Sequence, residues 1–257
     1  MVIALGYDSG DKALSEIGIA VLLSGVVLIF ASSRLTPRRR THGEQVNLSI
    51  SDLKDARRCG LKWLDDSAGL WVGIYDLNIV HELNTRFILA NTPPEHAIFF
   101  AVSAFSIRKE HEPNKELLSM LTALGDSFEE KVEHRKDRWS TVFASTRSEA
   151  VIRQIFDRYE FYYGTYVNYP FIVAKGQLHD WMESLKVLLD NHLKGLTCDM
   201  IKNSHCIMVT HWEHGLEMFT DKISEEEVVE VARDIAEENS LPLVNMGDEV
   251  DQSKPRS

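Results

Sequence analysis

The sequence predicts an α/β domain in which a mixed sheet, opening on three antiparallel strands, is covered by helices. Three observations lead there. The first 35 residues hold short β-branched runs split by turn signals, which reads as a strand meander. Downstream, stretches with helical period alternate with further short apolar runs, the pattern of a sheet with helices packed on it. Across 257 residues, 44% hydrophobic and 26% charged, the composition is that of a folded chain and excludes a disordered polymer or a coiled-coil rod.

Residues 2–7 are the first expected strand and run into the turn residues Asp8, Ser9 and Gly10. Residues 16–23 and 26–33 are the second and third, joined by Ser24 and Gly25. Residues 49–64 are expected to be helical, because Leu53, Ala56, Cys59 or Gly60, and Leu64 recur near helical spacing. Short strands are expected over 70–75, 78–83 and 98–105, the last after the break at Pro93 and Pro94.

An amphipathic helix is expected over 114–135, with Leu117, Leu118, Leu121, Leu124, Phe128 and Val132 as its apolar members, and another over 148–161. A strand over 171–174 enters Lys175, Gly176 and Gln177, and a helix carrying Trp181, Leu185, Leu188 and Leu189 follows. After a strand candidate at 206–209, Ser224 three residues before Glu227 marks a capping box and a helix start. Residues 241–244 close as a strand. The expected organisation is one domain over 1–246, with a helical insertion around 111–165 and a disordered tail over 247–257.

Net charge is −11, so no global field draws the chain toward nucleic acid. The acidity is uneven: from Asp221 onward 11 acidic residues face 4 basic ones, while Arg34 and Arg38 to Arg40 form one compact basic run. Residues 17–31 are nearly all apolar but fall short of the ~20 needed to span a bilayer, and they contain the Ser24-Gly25 turn. Asp8, Asp11 and Glu16 stand where a secretory signal would be positive. No membrane association is expected. Three cysteines, at 59, 198 and 206, exclude a disulfide scaffold and point to a reducing compartment, cytoplasm or nucleus.

Carboxylates at the end of a buried first strand suit hard cations such as magnesium or manganese, and two such ions can clamp the attacking and leaving oxygens of a phosphodiester. Residues 2–22 (VIALGYDSGDKALSEIGIAVL) resemble the opening of DEDD-type 3′–5′ exonucleases, whose first strand ends in Asp-x-Glu. Two further stretches are similar to fungal exonuclease-like domains, among them the partner of an Argonaute protein in RNA silencing: residues 78–84 (NIVHELN) and 100–103 (FAVS). Residues 171–185 (FIVAKGQLHDWMESL) resemble the second exonuclease motif, a strand ending in Gly-His followed by an Asp on a helix. The resemblance implies an RNase H-like fold. It also implies Asp8 and Asp180 as metal ligands, and His211 with Glu217 as the closest stretch to a third, His-x4-Asp motif. Magnesium or manganese would be the cofactor and single-stranded RNA or DNA the partner.

The departures bear on activity. Two strand carboxylates must stand at i and i+2 to face one site, yet Gly6 or Gly10 occupies one of those positions in either register. Lys175 stands where histidine is usual, and the acid after His211, Glu217, falls one place late. The expectation is therefore a nucleic-acid-binding, exonuclease-like domain weakened or inactive in catalysis. Two alternatives stay open: an active exonuclease completed by Glu213 or Glu217, and a protein-interaction module using the acidic C-terminal helix. Asp8 reads equally as a turn residue, Asp180 as a helix-start residue, and Glu213 with Glu217 as a solvated face. Cys198, His205, Cys206, His211 and His214 lack the paired spacing of a zinc site.

Overall fold

A computed structural model describes residues 45–53, 69–76, 79–106, 114–134, 138–162, 169–211 and 215–245. Its strands are β1 (Val46–Asp52), β2 (Leu70–Tyr75), β3 (Ala97–Ser106), β4 (Phe128–His134), β5 (Arg138–Thr146), β6 (Pro170–Ala174), β7 (Cys206–His211), β8 (Gly215–Thr220) and β9 (Leu243–Asn245). The helices are α1 (Val80–Ala90), α2 (Lys115–Leu124), α3 (Glu149–Tyr162), α4 (Leu178–Asn191), α5 (Cys198–Asn203) and α6 (Glu225–Glu238), with a 3-10 turn at His192–Gly195. One sheet runs β4-β5-β3-β6-β7-β8-β2-β1-β9. Neighbours in it are antiparallel except β1 and β9, which are parallel. The α/β class with a mixed sheet and helices therefore holds.

Strand alternation builds two cores from single strands. Along β3, Ile98, Phe100, Val102 and Ala104 join one cluster while Phe99 and Ala101 join the other. The first cluster is closed by residues of α1, α2, α3 and α6, the second by α4 and α5. Each large side chain buried this way contributes roughly 1.5–3 kcal/mol of transfer free energy.

Three expected elements differ. Residues 49–52 belong to strand β1 rather than a helix, because Val46, Leu48 and Ile50 alternate toward the larger core. Of the strand expected over 78–83, residues 80–83 are instead the start of α1. There the Asp76 carboxylate accepts the Ile79 N–H at 3.0 Å, and Leu83, Phe87 and Ile88 bury a helical face. The long helix expected over 114–135 stops at Leu124. Gly125, at φ 72, and Asp126 donate their N–H groups to Thr122 and Leu121, a Schellman ending, after which the chain reverses into β4. The segment 111–165 thus supplies sheet strands β4 and β5 as well as α2 and α3.

Strand β8 comes from a stretch read only for its motif. The expected strands over 2–33, the remainder of 54–64 and the tail over 247–257 lie outside the described residues. Among the described residues, no helix is long and apolar enough to cross a membrane.

Candidate functional site

Asp180 stands in the first turn of α4, just past the end of β6. The reversal between them is made by Lys175 and by Gly176 at φ 109, where a Cβ would lie 2.7 Å from the Asp180 carboxylate. Asp180 Oδ2 accepts the Gln177 backbone N–H at 2.8 Å, and Oδ1 sits 3.1 Å from His179 Nε2. The indole N–H of Trp181 donates to the Lys175 carbonyl at 3.0 Å. The carboxylate therefore closes a strand-to-helix turn at the positive end of a helix dipole. A shallow hollow beside it is lined by Asp126, Glu129, Gln177, His179 and Met182 among others.

Glu217 belongs to a different hollow. On β8 it sits opposite Gly73 of β2 and Val209 of β7. With Ser49, Trp71, Gly73 and Tyr75 it lines a depression of about 360 Å³. The Trp71 ring lies 3.3 Å from where a Gly73 Cβ would be, so the indole rests over that glycine. Its own N–H is buried, with no hydrogen-bond acceptor among the described residues.

His211 closes β7. Because Val173 pairs with Cys206 and Pro170 with Val209, β7 runs away from the end of β6 that leads to Asp180. At ~3.3 Å per residue, His211 is roughly 17 Å along the strand from Cys206. Its side chain, Asp8, Glu213 and His214 lie outside the described set. Glu217 is in register with Val209 and so with Pro170, at the start of β6, whereas Asp180 follows the other end of that strand, so the two are not brought into one site. Among the described residues no three His, Cys, Asp or Glu side chains converge as metal ligands. Cys206 is fully buried, which pushes its thiol pKa up and keeps it protonated.

A group of titratable side chains lies at the sheet end where β6 stops. His96 leads into β3, Lys175 follows β6 and His205 leads into β7, so three adjacent strands present them side by side. The imidazole centroids of His96 and His205 are 5.1 Å apart, inclined at 44°. Glu95 Oε1 lies 3.5 Å from His96 Nδ1 and 3.7 Å from Lys175 Nζ. The His205 N–H donates to the Val173 carbonyl at 2.8 Å, and its own carbonyl accepts the Thr220 hydroxyl at 2.8 Å.

Burial holds both imidazoles below the ordinary histidine pKa. Glu95 opposes this at His96, while Lys175 and Arg147 reinforce it. At His205, the His96 ring reinforces it. Glu227, in the first turn of α6, is itself held low by the Ser224 backbone N–H and hydroxyl. In the sequence, His205 stands only among residues lacking the spacing of a zinc site, and His96 belongs to no motif. A histidine just ahead of an apolar strand is visible, but its partner across the sheet is not.

No protein-family pattern, curated protein or solved structure matches the chain.

Proposed function

We propose that this chain is a degenerate, RNase H-like exonuclease domain that binds a single-stranded nucleic acid without cutting it. The observation that carries this reading is Asp180. The resemblance expects an acid on a helix entered from a strand; Asp180 stands in the first turn of α4, where its Oδ2 accepts the Gln177 N–H and its Oδ1 lies 3.1 Å from His179 Nε2. Gly6 or Gly10 at a required acid points the same way.

Magnesium or manganese in a two-ion centre needs several carboxylate oxygens converging at roughly 2.0–2.6 Å. Among the described residues, Glu217 is in register with Val209 and through it with Pro170, at the far end of β6 from Asp180, and these two carboxylates do not fit such a centre.

The test uses end-labelled single strands of RNA and of DNA, with manganese present or chelated. The expected outcome is strand retention in a binding assay with the label at full length in both conditions. Manganese-dependent shortening that disappears in Asp180→Asn overturns the proposal in favour of an active 3′–5′ exonuclease. Failure to retain either strand overturns the binding half.

A second reading, a protein-interaction module, is favoured by α6. Its outward face carries exposed Glu225, Glu226, Glu230, Asp234 and Glu237 against Arg233. Deleting the helix is a poor test, since Val228, Ala232, Ile235 and Ala236 are core residues. Replacing Glu226, Glu230 and Glu237 with lysine leaves the core intact and should abolish capture of a basic partner if this reading holds.

A further inference from the structure

We propose that His96 and His205 form an acid-sensitive latch at this end of the sheet, packed together when neutral and driven apart when both are protonated. The geometry carries the argument. Two imidazoles with centroids 5.1 Å apart bridge the entries to β3 and β7 across the end of β6, and the His96 side chain is only 13% exposed. Neutral rings tolerate that packing. Two imidazolium ions at the same distance repel one another, and each must also shed water to stay in place.

The surrounding charges do not neutralise the pair. Around His96 stand Glu95, Lys175 and Arg147; around His205 stand Glu95, Glu227 and Lys222. Both anions are already engaged. Glu95 stands 3.5 Å from His96 Nδ1 but is shared with the Lys175 ammonium at 3.7 Å and its own backbone N–H, while Glu227 accepts the Ser224 N–H at 2.7 Å in the α6 capping box. The three cations add to the repulsion.

The latch also joins separate parts of the chain. Thr220, at the end of β8, donates through its hydroxyl to the His205 carbonyl and accepts the Lys222 N–H, so movement of His205 reaches the entry to α6. Acid should therefore loosen the 91–96 lead-in, the β7 entry and the α6 start together.

The direction follows from proton linkage. A histidine whose folded pKa lies below its unfolded value of about 6.5 binds fewer protons when folded. Its contribution is complete above that value and is lost as pH falls toward the folded pKa. The experiment measures urea midpoints at pH 7.5, 6.5 and 5.5 for the wild type and for a His96→Gln/His205→Gln variant, alongside NMR titration of the imidazole C–H signals. The wild-type midpoint is expected to fall across this range and the double variant's to fall less. Both rings should titrate below 6.5 in the wild type, and His205 should titrate higher in His96→Gln. The NMR arm stands even if the double variant fails to fold. Two rings titrating at or above 6.5, or a His205 titration unmoved by His96→Gln, overturns the latch.

Discussion

The two faces of the sheet are built differently, and β3 shows it in consecutive residues. Phe100 points to the face carrying α1, α2, α3 and α6. There it meets Phe171 at a centroid distance of 6.3 Å, and Phe171 in turn meets Phe156 of α3 at 5.7 Å. Phe99 points to the opposite face and meets Trp181 of α4 at 6.1 Å. The first face is a continuous apolar layer closed by four helices. Among the described residues the second is closed by α4 and α5, and it carries Glu217, Trp71 and the turn held by Asp180. Stability is concentrated on one side, and the residues with chemical potential lie on the other or at the strand ends.

The largest test of that contrast is a pair of truncations. Phe100→Ala should cost about 3–5 kcal/mol of unfolding free energy, and Phe99→Ala should fall at the low end of that range, because Trp181 lies nearer the surface and can settle into the gap. Urea unfolding measures both. Equal costs would break the asymmetry.

Asn84 is the exception on the stable face, and it sharpens the comparison. It shares the buried side of α1 with Leu83, Phe87 and Ile88, yet among the described residues neither side-chain amide atom has a hydrogen-bond partner, and the neighbouring Thr85 hydroxyl likewise has none there. A buried amide left unpaired costs roughly 1–3 kcal/mol. Asn84→Leu should therefore stabilise the fold by about 1–2 kcal/mol in the same assay. A loss of stability instead would show that the amide has a role on this face.

The smallest effects concern the helix starts on the two faces. On the first, Ser224 and Glu227 satisfy each other's backbone N–H groups at the start of α6. Ser224→Ala should lower stability by about 1 kcal/mol. On the second, Asp180 supplies only the reach-back half, to Gln177, so Asp180→Asn should cost less than Ser224→Ala. Comparing the two midpoints checks the order.

Local signals were legible wherever they were self-contained. The capping box at Ser224 needs only residues three apart, and the apolar runs at 70–75, 98–105 and 171–174 became β2, β3 and β6. The reading failed where two conformations compete closely. Residues 128–134 (FEEKVEH) are rich in helix formers, yet the reversal at Gly125 delivers them to β5 as a strand. Residues 78–83 look like a short alternating strand until the next turn, with Phe87 and Ile88, adds the helical face. Of the candidate site, Asp180 was foreseen both as a ligand and as a helix-start residue, and its hydrogen bonds match the second description. The His96–His205 pair could not be foreseen as a unit, since nothing in either neighbourhood refers to the other.

The amino-acid order alone determined the α/β character, the amphipathic helices over 148–161 and from Ser224 onward, and the apolar strands of the central sheet. These depend on periodicity and capping, which act over a few residues. Tertiary structure decided which strands became neighbours, and through that which side chains meet. The pairing of β3, β6, β7 and β8 sets two histidines 5.1 Å apart and puts Asp180 and Glu217 toward opposite ends of β6. Such contacts depend on strand order and register, which follow from burying both faces of one sheet at once and have no local signature in the chain.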